Sequence, residues 1–375
     1  MKILFTGGGT GGHFYPIIAV AQEIKKIVEE DKLVEPKLYY MSNSPYNETV
    51  LYENNIVYVP ETTGKTRRYF SLLNFLDLFK TAWGAISVFF KMFLIFPDVV
   101  FGKGGYASFP ALLAARLLGI PVIIHESDTL PGRANLWAGK FAQKIALSYP
   151  GAAQYFPKGK TAVTGNPIRH EIMNPIKMGA HEFLALSEDF PVLFIVGGSQ
   201  GAMRINDTVL TILPKLLEKY QVVHQIGKAT YDEFSKRAEL ILRDNPNKNR
   251  YKIFAYLNNT AMRMVAGVTD LVVSRAGSSI FEIAHWGIPS IVIPIPESIS
   301  HDQKTNAFTF ARAGGCIVIE EENLTPSILL SEINRLMDSP TLRREMSTAC
   351  KAFDNPQAGR TIARALLDIA LKHER

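Results

Sequence analysis

The chain has 375 residues, of which 47% are hydrophobic and 20% are charged. This length predicts about two domains, and the composition excludes an intrinsically disordered protein. Lys and Arg exceed Asp and Glu by 41 − 35 = 6, a mildly basic balance that suits a nucleotide or an anionic membrane surface. We expect no nucleic-acid partner, because the sequence contains no zinc finger, basic helix or RNP-like aromatic motif.

Apolar segments typical of strands alternate with helical segments along most of the chain, which predicts an α/β fold with parallel sheets covered on both faces. The predicted helices are 15–30, 110–118, 203–219, 279–285, 304–313 and 359–372. The predicted strands are 2–5, 38–41, 99–101, 122–125, 144–147, 192–196, 222–225, 252–254, 271–274, 290–293 and 316–319.

The strand–glycine-loop–helix pattern occurs at the start of the chain and again near residue 192. Two such openings predict two doubly wound domains, which we place at residues 1–163 and 164–355. The C-terminal helical segment, 356–375, is expected to pack back on the first domain. The two cysteines, Cys316 and Cys350, have no metal-ligand spacing and are expected to be buried, reduced thiols. The N-terminus leaves no room for a signal peptide before the first glycine loop.

The first glycine loop, Gly7–Gly12, satisfies the dinucleotide-binding pattern G-x-G-x-x-G. That motif also requires a carboxylate at the end of the second strand, where this chain has Tyr39–Asn43. A nicotinamide cofactor is therefore not expected. Loops 102–108 and 197–202 repeat the glycine pattern after apolar strands, and three such loops favour anion binding by backbone N–H groups over simple tight turns.

Several short motifs resemble one family in order and spacing. They are Gly8–His13, Gly104–Tyr106, His125–Glu126, Gly165–Arg169, Gly197–Ala202 and Ser274–Gly277. The chain resembles the MurG family of peptidoglycan N-acetylglucosaminyltransferases, which convert lipid I to lipid II. The resemblance runs from Ile3 to the C-terminal helix.

This resemblance implies a GT-B fold, with two Rossmann-like domains facing across a cleft. It also implies the donor UDP-N-acetylglucosamine, the undecaprenyl-linked acceptor lipid I and a peripheral location on the cytoplasmic face of the bacterial membrane. An isomerase of the UDP-N-acetylglucosamine 2-epimerase type, a transferase with a glycerolipid acceptor and a non-enzymatic nucleotide-binding module remain alternatives.

The resemblance also suggests which residues bind the substrates. Arg169 matches an arginine that helps to bind the donor, and Glu282 matches a glutamate that accepts hydrogen bonds from the ribose hydroxyls. Gln303 matches a glutamine that contacts the donor sugar, and Leu257 stands where the backbone of the family binds uracil. Asp128 stands where the family usually has asparagine, so part of the sugar recognition differs. The remaining expected substrate-binding residues are Thr10, Gly11, Gly12, Tyr106, Ser199, Ser278 and Ser279.

Sugar transfer requires a base that removes a proton from the acceptor hydroxyl. His13, at the end of the first glycine loop, is our first candidate, and Glu126 and Asp128 are the alternatives. A cation such as Arg133 is expected to pair with Asp128. No Asp-x-Asp motif occurs in the sequence, so we expect no metal and no other cofactor, and backbone N–H groups and arginine would neutralise the leaving diphosphate.

The segment between Phe70 and Phe96 is strongly apolar, but Lys80 and Lys91 interrupt it. No unbroken apolar run approaches the roughly 20 residues that a membrane-spanning helix needs. Basic residues lie just upstream, at Lys65, Arg67 and Arg68. The combination predicts a helix that lies on an anionic membrane surface, although a core helix would explain part of it.

Overall fold

A computed structural model describes residues 1–8, 10–61, 73–197, 202–297 and 301–373, with residues 73–83, 301 and 373 described by their backbone alone. The chain forms two compact units. The first comprises Met1–Arg169 together with Pro356–Arg375, and the second comprises His170–Asn355. The division between the units lies after Arg169, whereas the sequence analysis placed it after residue 163.

The first unit is built on a parallel sheet of seven strands in the order β3-β2-β1-β4-β5-β6-β7. Chain order reverses between β1 and β4, so this point is a topological switch, where ligands bind in doubly wound sheets. The strands are β1 (Lys2–Thr6), β2 (Lys37–Ser42), β3 (Ile56–Pro60), β4 (Val99–Gly102), β5 (Val122–Glu126), β6 (Lys144–Leu147) and β7 (Thr161–Val163).

The second unit repeats this plan with a parallel sheet of six strands in the order β10-β9-β8-β11-β12-β13. Its switch point lies between β8 and β11. The strands are β8 (Val192–Val196), β9 (Gln221–Gln225), β10 (Tyr251–Phe254), β11 (Thr269–Ser274), β12 (Ser290–Val292) and β13 (Cys316–Val318).

Helices cover both faces of each sheet, because the central strands are buried throughout and their apolar side chains must pack on both sides. In the first unit, α15 packs against α1, and Ile362, Leu366 and Ala370 are part of the same core as β1. The described helices of the first unit are α1 (Gly11–Glu30), α2 (Glu48–Glu53), α3 (Leu73–Ile95), α4 (Phe109–Leu117), α5 (Arg133–Gly139) and α15 (Ala358–His373). Those of the second unit are α6 (His170–Met173), α7 (Ala180–Phe183), α8 (Met203–Lys219), α9 (Tyr231–Ile241), α10 (Asn259–Val268), α11 (Ser279–Trp286), α12 (His301–Arg312), α13 (Pro326–Met337) and α14 (Pro340–Phe353).

The predicted fold class is confirmed: both units are α/β with entirely parallel sheets. Every predicted strand is present, but the prediction missed β3 and β7. These two strands form the edges of the first sheet and are only partly buried. Strand β3 nevertheless carries a continuous apolar run, Ile56–Val59, which the prediction overlooked, whereas β7 has only three residues. Both cysteines are buried and free.

Candidate active site

The first glycine loop brings the backbone close to neighbouring strands at the carboxyl end of β1. A Cβ atom at Gly8 would lie 2.5 Å from Ser42 Oγ and 3.2 Å from the Cβ of Ala107. A side chain at Gly8 would therefore require Ser42 and Ala107 to shift. Helix α1 then begins at Gly11, so Gly11 and Gly12 form its first turn, where N–H groups are free to meet an anion.

The second glycine loop packs directly on the first. Gly104 and Gly105 both have positive φ angles, of 88° and 80°. A Cβ at Gly105 would lie 3.0 Å from the carbonyl oxygen of Gly8 and 3.3 Å from Cε1 of His13. The loops therefore enclose the His13 ring between them.

The His13 imidazole has a defined hydrogen-bonding arrangement. Its Nδ1 lies 2.9 Å from the carbonyl oxygen of Gly8, which only accepts, so Nδ1 carries the proton and Nε2 has a free lone pair. Burial and the ammonium of Lys103 lower the pKa of His13 to about 4, against the opposing effects of Asp128 and the Gly8 carbonyl. At neutral pH the ring is therefore uncharged and able to accept a proton.

Glu126 is buried and hydrogen-bonded within the first unit. Its side chain is buried at the end of β5, and both carboxylate oxygens are occupied. Oε1 accepts from the Asp128 N–H at 3.0 Å, and Oε2 accepts from Gly132 N–H at 3.1 Å and from Asn135 Nδ2 at 2.9 Å. Burial and the charge of Asp128 raise the pKa of Glu126 to about 7. This carboxylate holds the 127–132 loop in place, and its role as a base stays a prediction.

The other predicted residues of the first unit lie near His13. Asp128 is partly exposed and interacts electrostatically with the imidazole. Thr10 is exposed, and its Oγ1 lies 3.4 Å from His13 Nδ1. The Tyr106 side chain is 38% exposed, and its hydroxyl accepts from Asn43 Nδ2 at 2.8 Å.

Arg169 belongs to the first unit, not to the second as the sequence analysis expected. Its guanidinium lies 3.7 Å from the centre of the Tyr15 ring, and the residue is buried. Its role in donor binding stays a prediction.

Most predicted donor residues of the second unit lie near the carboxyl ends of β11 and β12. Helix α11 begins at Ser279 directly after Ser278, Glu282 lies in its first turn, and Ser279 Oγ is 3.3 Å from Ser274 Oγ. Gln303, on α12, accepts from the Ile295 N–H at 3.2 Å, and its Nε2 would lie 3.9 Å from a Cβ at Gly277. These residues thus lie around the N-terminus of α11, where an anion is favoured.

The structure gives less information on two of the residues that were predicted to bind the donor, Leu257 and Ser199. The Leu257 N–H donates to Gln225 Oε1 at 2.9 Å, so its amide already has a partner within the unit. Ser199 lies outside the described residues. Among the described residues, no group of three His, Cys, Asp or Glu side chains has the geometry to hold a metal ion.

The sequence analysis missed Lys103 as a charged group. It was noted only as part of a glycine loop, yet its side chain is 1% exposed, and its ammonium acts electrostatically on both His13 and Glu126. Its position directly after a buried strand and before two glycines was the signal that could have identified it.

Comparison with known proteins agrees with this arrangement. Residues 3–147 match the glycosyltransferase family 28 N-terminal domain, and residues 192–361 match the family 28 C-terminal domain. A relative from Bacillus thuringiensis strain Al Hakam, named UDP-N-acetylglucosamine–N-acetylmuramyl-(pentapeptide) pyrophosphoryl-undecaprenol N-acetylglucosamine transferase 3, is 36% identical over 96% of this chain and 97% of its own length. The chain belongs to the MurG family of glycosyltransferases. A transferase of the same name, without the number, from Lachnospira eligens is 37% identical over 89% of this chain and 90% of its own length.

Solved structures share the fold. MurG from Acinetobacter baumannii superposes with a TM-score of 0.72 at 24% identity, covering 98% of this chain and 99% of its own. UDP-GlcNAc 2-epimerase from Neisseria meningitidis, bound to UDP-GlcNAc, has a TM-score of 0.68 at 17% identity, with coverage of 98% and 100%. Fold alone therefore does not separate a MurG enzyme from an epimerase, whereas the sequence relationship does.

Proposed function

We propose that this chain transfers N-acetylglucosamine from UDP-N-acetylglucosamine to the 4-hydroxyl of the N-acetylmuramyl sugar of lipid I, forming lipid II with inversion at the anomeric carbon. The observation that carries the proposal is the 36% identity to the Bacillus transferase along 96% of the chain. The geometry around His13 is compatible with removal of a proton from the acceptor hydroxyl.

In this mechanism Nε2 of His13 accepts the proton of the acceptor hydroxyl as its oxygen attacks the anomeric carbon. The Gly8 carbonyl fixes the tautomer, and the nearby carboxylate of Asp128 stabilises the imidazolium that forms. Glu126 acts indirectly, because it holds the loop that carries Asp128.

The donor is bound by the second unit. Glu282 accepts the ribose hydroxyls, and Gln303 contacts the donor sugar. The positive end of the α11 dipole, at Ser279, stabilises the negative charge that grows on the diphosphate as the sugar leaves.

A lipid-linked acceptor requires contact with the membrane surface. None of the helices in the described residues is long and apolar enough to cross a membrane. Helix α3 buries Val88 and Met92 in the core and leaves a second apolar stripe exposed. That stripe, defined as Ile86, Phe90, Phe93 and Leu94, has exposed fractions between 52% and 80%. We include attachment of this stripe to an anionic bilayer in the proposal.

Parts of the predicted membrane surface lie outside the described side chains, including Phe79, Trp83 and the basic residues upstream. They remain predictions. A peripheral position on the cytoplasmic face of the membrane follows from the proposed acceptor and not from the fold.

The function is tested by incubating the protein with labelled UDP-N-acetylglucosamine, with and without lipid I. We expect label in the lipid fraction only when lipid I is present. Formation of UDP-N-acetylmannosamine from the donor alone would support the epimerase alternative, and label in an added diacylglycerol but not in lipid I would support a glycerolipid acceptor.

A further inference from the structure

The C-terminal end of α11 makes polar contacts with the segments at which the chain enters and leaves the second unit. The chain enters at the start of α6 and leaves two residues after the end of α14. Trp286 Nε1 donates to the carbonyl oxygen of Ile172, in α6, at 2.8 Å. His285 Nδ1 donates to Oδ2 of Asp354, directly after α14, at 2.7 Å. Neighbouring residues of one helix therefore hold both ends of the unit.

The contact between His285 and Asp354 is largely shielded from solvent. Their side chains are 15% and 9% exposed. The hydrogen bond to Asp354 raises the pKa of His285 against the effect of burial, and a hydrogen bond to the backbone of Met173, the last residue of α6, also raises it. The imidazole thus interacts with both ends of the unit. Because solvent and salt screen such a pair only weakly, removal of the imidazole would leave a largely buried carboxylate without this partner.

Apolar packing holds the end of α14 against the same part of α11. The rings of Phe281, on α11, and Phe353, the last residue of α14, stack with their centroids 5.8 Å apart and an angle of 24° between their planes. Gly287 ends α11 in the left-handed conformation, with a φ of 71°, and a Cβ there would lie 2.7 Å from Cε of Lys351. The last turn of α11 is therefore fixed by packing as well as by hydrogen bonds.

The anchored end of α11 is close to the end that carries the predicted donor residues. The helix has eight residues, so it is only about 12 Å long. Glu282 and Trp286 are four residues apart, and their side chains therefore lie on the same face of the helix, one turn from each other. Because so short a helix moves as a rigid body, a shift at Trp286 would also displace Glu282.

We propose that His285 and Trp286 are positioning residues of the donor site. By binding the two ends of the second unit to the C-terminal end of α11, they keep Glu282 and the N-terminus of this helix in the arrangement that binds the nucleoside diphosphate of the donor. The effect on donor binding rests on the proposed transferase function; the anchoring itself does not.

The first experiment tests the anchoring without any ligand. Hydrogen exchange of backbone amides is measured by mass spectrometry in the wild type, Trp286→Phe and His285→Leu, two substitutions that keep an apolar side chain but remove the N–H donor. We expect faster exchange in α11 of both variants, in residues 170–176 of Trp286→Phe and in residues 352–357 of His285→Leu, with no change in the first sheet. Exchange like that of the wild type in all these segments would overturn the proposal.

The second experiment measures UDP binding by isothermal titration. Trp286→Phe should weaken it about two- to tenfold, because binding must then restore an arrangement that the lost hydrogen bond no longer holds, and the loss cannot exceed what that bond contributed. His285→Asn keeps an N–H donor near the position of Nδ1, so it should bind UDP more tightly than His285→Leu. In the transfer assay the donor KM of Trp286→Phe should rise while kcat stays within about twofold, since saturating donor restores the arrangement.

Tyr220→Phe is the matched control for a purely structural loss. The Tyr220 hydroxyl donates to Asn334 Oδ1 at 2.8 Å, and Tyr220 belongs to a different hydrophobic core of the second unit from the one that contains α11 residues Ile280 and Ala284. This variant should unfold at a lower urea concentration than the wild type but bind UDP equally well.

The outcomes separate the positioning role from the proposed function. If Trp286→Phe binds UDP like the wild type, or if Tyr220→Phe weakens UDP binding as much, these contacts do not position the donor site and the proposal is wrong. If UDP affinity changes as expected but no label enters lipid I, the positioning role stands and the proposed acceptor is wrong. A wild-type protein that binds no UDP would contradict the proposed function, and the exchange measurement would still decide the anchoring.

Discussion

The lone pair on Nε2 of His13 exists because the backbone carbonyl of Gly8 fixes the proton on Nδ1. The sequence suggested His13 as a base from its position at the end of a glycine loop, but it did not show the tautomer. The sequence also did not show that both carboxylate oxygens of Glu126, another candidate for the general base, accept hydrogen bonds from N–H donors. These distinctions depend on residues far apart in the sequence, such as Asn135 and Glu126, whose contacts are created by the fold.

We predict that His13→Gln lowers kcat by about 10²- to 10⁴-fold, the usual contribution of a general base, with a smaller change in the KM for lipid I. Glutamine retains a donor for the Gly8 carbonyl but cannot accept the proton from the substrate. His181→Gln, in the second unit, serves as the control. A nearly normal kcat in His13→Gln would transfer the role of base to Asp128.

A substitution at Glu282 tests the proposed binding of the UDP-sugar donor. Removal of its carboxylate in Glu282→Ala should raise the donor KM and weaken UDP binding by about 1.5–3 kcal/mol, as expected for hydrogen bonds to a charged group. Isothermal titration with UDP measures this directly, and Glu345→Ala, an exposed glutamate on α14, is the matched control. Unchanged UDP affinity would leave Glu282 with only a helix-dipole role.

Glu61, directly after β3, should make the free energy of unfolding depend on pH. It is buried, and neither carboxylate oxygen has a hydrogen-bond partner among the residues that the structure describes. Burial raises its pKa to about 8 despite the opposing charge of Lys91. The folded state therefore holds a proton that the unfolded chain releases near pH 4.5, so the contribution of Glu61 to stability is lost as pH rises towards 8.

Glu61→Gln, which stays neutral at every pH, should therefore resist urea better than the wild type at about pH 8.5, and the difference should disappear near pH 4.5. Glu53→Gln, an exposed glutamate on α2, should show no such change. The same difference in urea midpoint at both pH values would mean that Glu61 is not protonated in the folded protein.

At the scale of elements, the strength of the local apolar pattern decided what could be predicted. Strands β6 and β8 and helix α8 were predicted to the residue, because each carries a continuous or strongly periodic apolar pattern. Strand β3 is an exception, because its sequence carries a continuous apolar run from Ile56 to Val59 and was nevertheless overlooked. Strand β7 has three residues, two of them exposed, and lacks the apolar continuation that identified the equally short strands β12 and β13.

Helix α3 has a buried apolar face and an exposed apolar stripe, and the exposed stripe allows a test of membrane attachment. Phe90→Ser/Phe93→Ser should weaken binding to anionic vesicles at least about tenfold, because each phenylalanine loses roughly 1.5–3 kcal/mol of burial in the bilayer. Binding should also weaken as salt rises. Leu240→Ser removes an equally exposed apolar side chain from the second unit and is the matched control. If the double variant sediments with vesicles as the wild type does, this stripe is not the membrane surface.

At the scale of the whole molecule, the repeated strand–glycine-loop–helix plan explains why two units were predictable from one sequence. Each unit has its own core and its own switch point, between β1 and β4 and between β8 and β11. The return of α15 to the first unit follows from its apolar face, which completes a core that α1 and β1 begin. The assignment of Arg169 could not be predicted, since it depends on the contact between its guanidinium and the Tyr15 ring.

The same plan offers a way to stabilise the diphosphate that leaves in the proposed reaction. Two glycine loops each lead into a helix, and α11 provides a further N-terminus near Glu282 and Gln303, so oriented N–H groups are available at several places where a phosphate can bind. The sequence has no Asp-x-Asp motif that would hold a divalent cation against the diphosphate.

We therefore expect transfer to lipid I to proceed in EDTA at a rate within about twofold of the untreated enzyme. The measurement compares initial rates in EDTA with rates after excess Mg²⁺ or Mn²⁺ is restored. A rate that collapses in EDTA and returns with either cation would show that a metal, and not these N–H groups, stabilises the leaving group.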